Sequence, residues 1–129
     1  MKLGYTILYV QNVADTIQFY EKAFALKKKF IHESGDYGEL DTGETTLAFV
    51  SFDLADSNKI GFFKNKAARP CREMEIALVT SDVDSSFRNA VSSGAIEISK
   101  PSQKPWGQTV SYVQDPNGFL IEICSPIGI

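Results

Sequence analysis

Ile7-Leu8-Tyr9-Val10-Gln11-Asn12-Val13 recurs, 70 residues on, as Ala77-Leu78-Val79-Thr80-Ser81-Asp82-Val83. In both copies an apolar run reads as a strand that ends at a polar cap residue, Asn12 or Asp82. Beyond the cap, Val13, Ile17 and Tyr20 return at the same offset as Val83, Phe87 and Ala90. The spacing i, i+4, i+7 is one face of an α-helix, so each copy predicts a strand followed by an amphipathic helix. Asn12 with Asp15, and Asp82 with Ser85, suit the free N–H groups of a first turn. The first helix is expected to run to about Ala25 and the second to stop at Gly94, a residue suited to the left-handed position after a helix.

Short strands follow each helix. They are expected at 27–31, 37–41 and 45–52 in the first copy and at 96–99, 109–114 and 119–124 in the second. Turn chemistry separates them at Ser34-Gly35-Asp36, Asp41-Thr42-Gly43 and Asp115-Pro116-Asn117-Gly118. All five prolines, at 70, 101, 105, 116 and 126, fall outside the expected elements. The chain therefore reads as one domain of two βαβββ modules, about 1–52 and 73–129, joined by a linker at 53–72. That linker is long for a compact domain, so a short helix or a mobile flap is expected within it. One such module leaves a sheet face uncovered. Two side by side predict an α+β fold in which the duplicated modules form a curved mixed sheet, with helices on the convex side and a concave cavity lined by alternate strand residues.

Composition narrows the function. The 129 residues are 43% hydrophobic and 22% charged, which is ordinary for a globular domain with a real core. Thirteen Lys plus Arg against sixteen Asp plus Glu give a net charge of -3, which leaves no basic footprint for a nucleic-acid backbone. No apolar run reaches the roughly 18 to 20 residues of a membrane span, and the N-terminus lacks a secretory pattern, so the expected location is cytoplasmic. Cys71 and Cys124 lie 53 residues apart without CxxC spacing and read as reduced thiols. A lone histidine, His32, precedes a turn and reads as a surface residue; neither a Ser-His-Asp nor a Cys-His-Asp triad can be assembled around it.

Several stretches resemble the vicinal oxygen chelate superfamily, the group of glyoxalase I, bleomycin-resistance proteins and extradiol dioxygenases. They are Lys2-Leu3 to Val10, the helix start from Asn12 to Tyr20, Lys104-Pro105-Trp106-Gly107, and Asp115-Pro116-Asn117-Gly118-Phe119-Leu120-Ile121-Glu122-Ile123. The resemblance implies four metal-ligand positions, from the first and last strand of each half, usually His or Glu. They fall on Tyr5, on Ala48 with Leu47 or Phe49 as register alternatives, on Glu75 and on Glu122. The 70-residue offset independently pairs Tyr5 with Glu75.

Only two of the four are carboxylates. Zinc and nickel sites need imidazole or several anionic ligands, and a neutral phenol with pKa about 10 is a poor replacement. No cofactor is expected, and Glu75 and Glu122 are the only candidates for a weak divalent-metal site. Each also has a plainer reading as a solvated or ion-paired strand carboxylate. If they converge in a cavity, at least one pKa should rise, which suits a general base at Glu122 or an anchor for a cationic ligand. Cys124 shares the strand face of Glu122, as a pocket thiol or an inert buried one. Trp106, in a loop that in the family borders the cavity, is either ligand platform or core packing. Tyr5 and Tyr9 alternate on one face of the first strand, with Phe49, Phe62 and Phe63 as possible apolar walls. The resulting profile is a homodimeric, metal-free protein that sequesters a small organic molecule, a drug or a metabolite. The enzymatic alternative is a glyoxalase-like lyase or isomerase with an incomplete metal site; a third reading is a structural dimer without a pocket.

Overall fold

The computed structural model describes residues 1–128. Two units divide the chain, Met1–Asn65 and Lys66–Ile129. The first carries β1 (Tyr5–Val10), α1 (Val13–Phe24), β2 (Lys27–Ile31), β3 (Tyr37–Asp41), β4 (Thr46–Ser51) and α2 (Phe52–Ser57). The second carries β5 (Cys71–Val79), α3 (Val83–Ser92), β6 (Ile96–Gln103), β7 (Thr109–Gln114) and β8 (Phe119–Cys124). Strand order is β1-β4-β3-β2 in one and β5-β8-β7-β6 in the other, the same path twice, with the first strand parallel to the last and the remainder antiparallel. The α+β class and the duplication are as expected. Hydrogen bonds arrange the strands as two four-stranded mixed sheets, one per module.

Each helix covers one face of its own sheet. In module 1, Val13, Ile17 and Tyr20 are buried on α1, and the Tyr20 ring lies 4.9 Å from that of Phe49. Gly38 lets the helix sit close, because a Cβ there would stand 2.5 Å from Ile17 Cδ1 and 3.0 Å from Val13 Cγ1. In module 2, Val83, Phe87 and Ala90 take the same places and the sheet contributes Val113, Ile121 and Ile123. Both caps form as the sequence implies: Asn12 Oδ1 accepts from the Asp15 N–H at 2.9 Å, and Asp82 Oδ1 from the Ser85 N–H at 3.0 Å. After α3 the left-handed residue is Gly94, at φ 110°, whereas after α1 it is Ala25, at φ 54°.

Three local expectations change. Pro101 lies inside β6, tolerated because β6 is the edge strand and the register slips between Ser99 and Ser102. Phe52 opens α2 instead of ending β4, because Ser51 Oγ accepts from the Leu54 N–H at 3.1 Å and starts a helix there. Phe49 is no cavity wall: it is fully buried against α1.

The Asp115-Pro116-Asn117-Gly118 turn ties module 2 together. Fully buried Asp115 accepts through Oδ1 from Asn117 N at 2.9 Å and Phe119 N at 2.8 Å, and its own N–H donates to Phe119 O. Gly118, at φ 91°, lies against the incoming chain: a Cβ would stand 2.5 Å from Lys66 O and 3.1 Å from Pro70 Cα, while Gly118 O accepts from Cys71 N. Gln114 holds the same segment, donating to Ala67 O at 3.3 Å and accepting from Arg72 Nη2 at 2.8 Å. Gly118→Ala should therefore cost more than about 2 kcal/mol, combining left-handed strain with overpacking against backbone. Ala25→Gly should stabilise by about 0.5 to 1 kcal/mol, since relief of the left-handed Cβ exceeds the added chain entropy. Denaturant titration of the two variants checks both signs.

Candidate ligand site

On the sheet face away from the helix, module 2 collects polar groups. Alternation along β8 sends Ile121 and Ile123 into the core and leaves Glu122 and Cys124 on the other side. Tyr112 stands directly across from Glu122 on β7, and Ala77 of β5 on its other flank. The Tyr112 hydroxyl donates to Glu122 Oε1 at 2.8 Å and lies 3.5 Å from Glu75 Oε1. Glu75 and Glu122 are thus brought together, with Tyr112 between them.

Their ionisation is divided. Loss of solvation pushes Glu75 above the ordinary carboxylate range, and the hydrogen bond and charge of Glu122 act the same way. Burial also opposes ionisation of Glu122, yet its pKa ends lower. Hydrogen bonds from the Cys124 thiol, the Glu75 carboxyl and the Tyr112 hydroxyl, with the charge of Lys104, outweigh burial. Two carboxylates in contact cannot ionise equally, so a proton stays longest on Glu75 and the first negative charge settles on Glu122. Burial, followed by the hydrogen bond and charge of Glu122, pushes the Cys124 thiol up to about 11. Cys124 is therefore a neutral donor to Glu122 at physiological pH, and no nucleophile. Tyr112 is raised too, by burial first and then by both glutamates.

Trp106 joins the same network from the preceding loop. Its indole Nε1 donates to Gln108 Oε1 at 2.9 Å, and Gln108 Nε2 donates to Ser125 O at 2.9 Å. At 58% exposed, Trp106 is not core packing. Tyr112 and Gln108 were missed by sequence reasoning. Counting outward from the Asp115–Phe119 pair that closes the turn would have reached Tyr112 opposite Glu122; Gln108 had no such signal.

Module 1 treats the corresponding positions differently. Tyr5, Ile7 and Tyr9 line the face away from α1, and Tyr9 meets the Phe62 ring edge-on at 5.1 Å. Phe63 is 84% exposed. The register settles the alternatives at the end of the module: Ala48 pairs with Ile7 as Glu122 pairs with Ala77, while Phe49 faces the helix. Ala48 is fully buried, and Glu39 lies across from it on β3. The Tyr37 hydroxyl donates to Glu39 Oε2 at 2.7 Å, and Lys29 Nζ lies 3.6 Å from Oε1. A depression of about 450 Å³, lined by Gln11, Ser51, Phe52, Asp53 and Lys64, opens at the carboxyl ends of β1 and β4. His32 serves its turn, with Nδ1 accepting from Ser34 N at 3.1 Å.

A transition metal does not fit these donors. Among the described residues no three His, Cys, Asp or Glu side chains are grouped for a metal ion. Module 2 offers two carboxylates that share protons, a neutral phenol and a protonated thiol; module 1 offers a phenol and a methyl group at the family's positions.

The glyoxalase-like domain family matches residues 3–128, and the chain belongs to it. The uncharacterized protein YraH of Bacillus subtilis (strain 168) is 24% identical over 124 residues, spanning 95% of this chain and 97% of that protein. A glyoxalase-related enzyme from Fulvimarina pelagi superposes with a TM-score of 0.82 at 18% identity, covering 97% of this chain and 88% of that one. A glyoxalase/bleomycin resistance protein/dioxygenase family enzyme from Burkholderia phytofirmans PsJN gives 0.76 at 18% identity, covering 97% and 98%. The fold is that of the glyoxalase, bleomycin-resistance and dioxygenase group. No helix of the described residues is long and apolar enough to cross a membrane.

The raised pKa of Glu75 gives a pH test. Its neutral form is favoured by folding, so its stabilising effect is present below the unfolded carboxylate pKa and is lost as pH rises through the folded value. Glu75→Gln should accordingly be more stable than the parent at pH 7, with the difference vanishing below about pH 4. Thermal denaturation across that range checks it.

Proposed function

We propose that this protein is a metal-free small-molecule-binding member of its family that holds an organic cation on the Glu75–Tyr112–Glu122 group of module 2. The observation that carries this reading is the pair of glutamates joined by one tyrosine hydroxyl, with Tyr112 and Glu122 half-buried and Glu75 exposed. A carboxylate kept ionised by its donors and flanked by a second carboxyl whose ionisation it opposes gains from an arriving positive charge, which offsets the repulsion that grows as the second ionises. Partly exposed Trp106, tied through Gln108 beside the same strand, offers an aromatic surface for a flat ligand. The protein then acts by sequestering a drug or metabolite in the cytoplasm, without chemistry on it. The lyase or isomerase reading would use Glu122 as base, and its low pKa makes Glu122 a weak one.

We also propose a homodimer, since each sheet has an open edge and exposed apolar side chains such as Ile7, Val79 and Ile96 remain on the strands. Light scattering at tens of micromolar should give twice the chain mass; a monomer removes this part.

Calorimetric titration with benzylammonium tests the binding reading, with benzyl alcohol as the neutral control. Benzylammonium should bind and the alcohol should not. Glu122→Gln should weaken binding by about 1 to 3 kcal/mol, the range for a charge-assisted hydrogen bond. Protein purified without chelator should carry well under one equivalent of zinc or nickel, and Tyr5→His should raise that content. Stoichiometric, tightly held metal would favour the enzyme instead.

A further inference from the structure

The two modules place a β-bulge at the same point of their edge strands. In β2 the register against β3 slips between Lys28 and Phe30, leaving Lys29 as the extra residue; in β6 the register against β7 slips between Glu97 and Ser99, leaving Ile98. The neighbours confirm the correspondence. Phe30 pairs with Glu39 and Glu39 with Ala48, as Ser99 pairs with Tyr112 and Tyr112 with Glu122. Lys29 and Ile98 thus hold equivalent places in the two sheets.

Both modules also build a carboxylate bonded to a tyrosine hydroxyl beside the bulge, although on different residues, since Glu39 stands where Tyr112 does and Ala48 where Glu122 does. In module 1 it is Glu39 with Tyr37; in module 2 it is Glu122 with Tyr112, and Glu75 beside them. The difference lies at the bulge. Lys29 sends its ammonium to within 3.6 Å of Glu39, whose side chain is only 9% exposed. Ile98 has no charge to send; the positive charge that acts on Glu122 is that of Lys104, from the loop before β7, and module 2 carries one carboxylate more. We infer that Lys29 is a built-in occupant of module 1's copy of the site, and that module 2 is the open copy, whose ligand places a primary alkylammonium where module 1 places Lys29 Nζ.

The second half of this inference rests on the binding reading above; the first does not. Lys29 is itself largely exposed, at 57%, so its ammonium is replaceable from solvent. A small alkylammonium should therefore enter module 1 once the lysine is removed. Conversely, a lysine at position 98 should fill module 2 from the same edge.

The experiment uses the full chain. Lys29→Ala should lower the melting temperature, and n-butylammonium chloride, the lysine side chain as a free molecule, should restore most of the loss. Sodium chloride at equal concentration should not, nor should n-butylammonium restore the Lys29→Ala/Glu39→Gln double variant. Ile98→Lys should weaken benzylammonium binding tenfold or more, while Ile98→Met, similar in bulk and uncharged, should leave it within twofold. An equal response of Lys29→Ala and the parent to n-butylammonium overturns the assignment of Lys29, and unchanged affinity in Ile98→Lys overturns the assignment of module 2. If the parent protein binds no benzylammonium, the binding reading fails by itself, and the rescue of Lys29→Ala still decides whether module 1 holds a plugged cation site.

Discussion

The turn closed by Asp115 governs module 2. Its buried carboxylate takes the backbone N–H groups of Asn117 and Phe119, while its own backbone donates to Phe119 O and accepts from Gly118 N. That closure sets the register of the β7–β8 hairpin, and a slip of one residue would turn Glu122 and Cys124 into the core and Ile121 and Ile123 out of it. The same turn exposes the Gly118 backbone to the chain arriving at Lys66 to Pro70 and pairs Cys71 with Phe119; an irregularity over residues 72–74 then sets Glu75 against Leu120, beside Tyr112. Site geometry and local folding here are one constraint.

From that constraint follows the electrostatic arrangement on which the proposed binding role rests. Glu122 is kept ionised by the Cys124 thiol, the Glu75 carboxyl and the Tyr112 hydroxyl, with the charge of Lys104, while Glu75 retains its proton longer. Such a group is primed to accept positive charge but is a poor base, because the bonds that keep it ionised also lower its basicity. In module 1 the carboxylate is Glu39, at the place of Tyr112, and Lys29 lies beside it. The two modules differ here at single positions, Lys29 against Ile98 and Ala48 against Glu122.

Most of the fold was legible because it rests on period and punctuation. The 70-residue echo located both helices by their buried faces, and Asn12, Asp82 and Gly94 marked their ends by the hydrogen bonds and backbone angle each residue type allows. Pro101 misled because a proline argues against a strand only where its missing N–H is needed, and an irregular edge does not need it. Phe49 misled for a different reason: on a strand buried along both faces, hydrophobicity does not say which face a side chain takes. Within the candidate site, the alignment with the family's positions picked out Glu75 and Glu122, which the structure brings together at Tyr112. Tyr112 and Lys29 were not, since each acts across strands, and cross-strand partners depend on a register and a bulge that no local pattern displays.

The central claim is that module 2 keeps one negative charge exposed to an incoming organic cation. Carbon-13 NMR of the glutamate side-chain carboxyls through a pH titration, with and without benzylammonium, tests it at the groups concerned. The account predicts that in the free protein Glu75 titrates above the ordinary carboxylate range and Glu122 below it, and that benzylammonium moves Glu75 downward. Both carboxyls titrating together in the ordinary range, or a Glu75 curve unmoved by the cation, would contradict it.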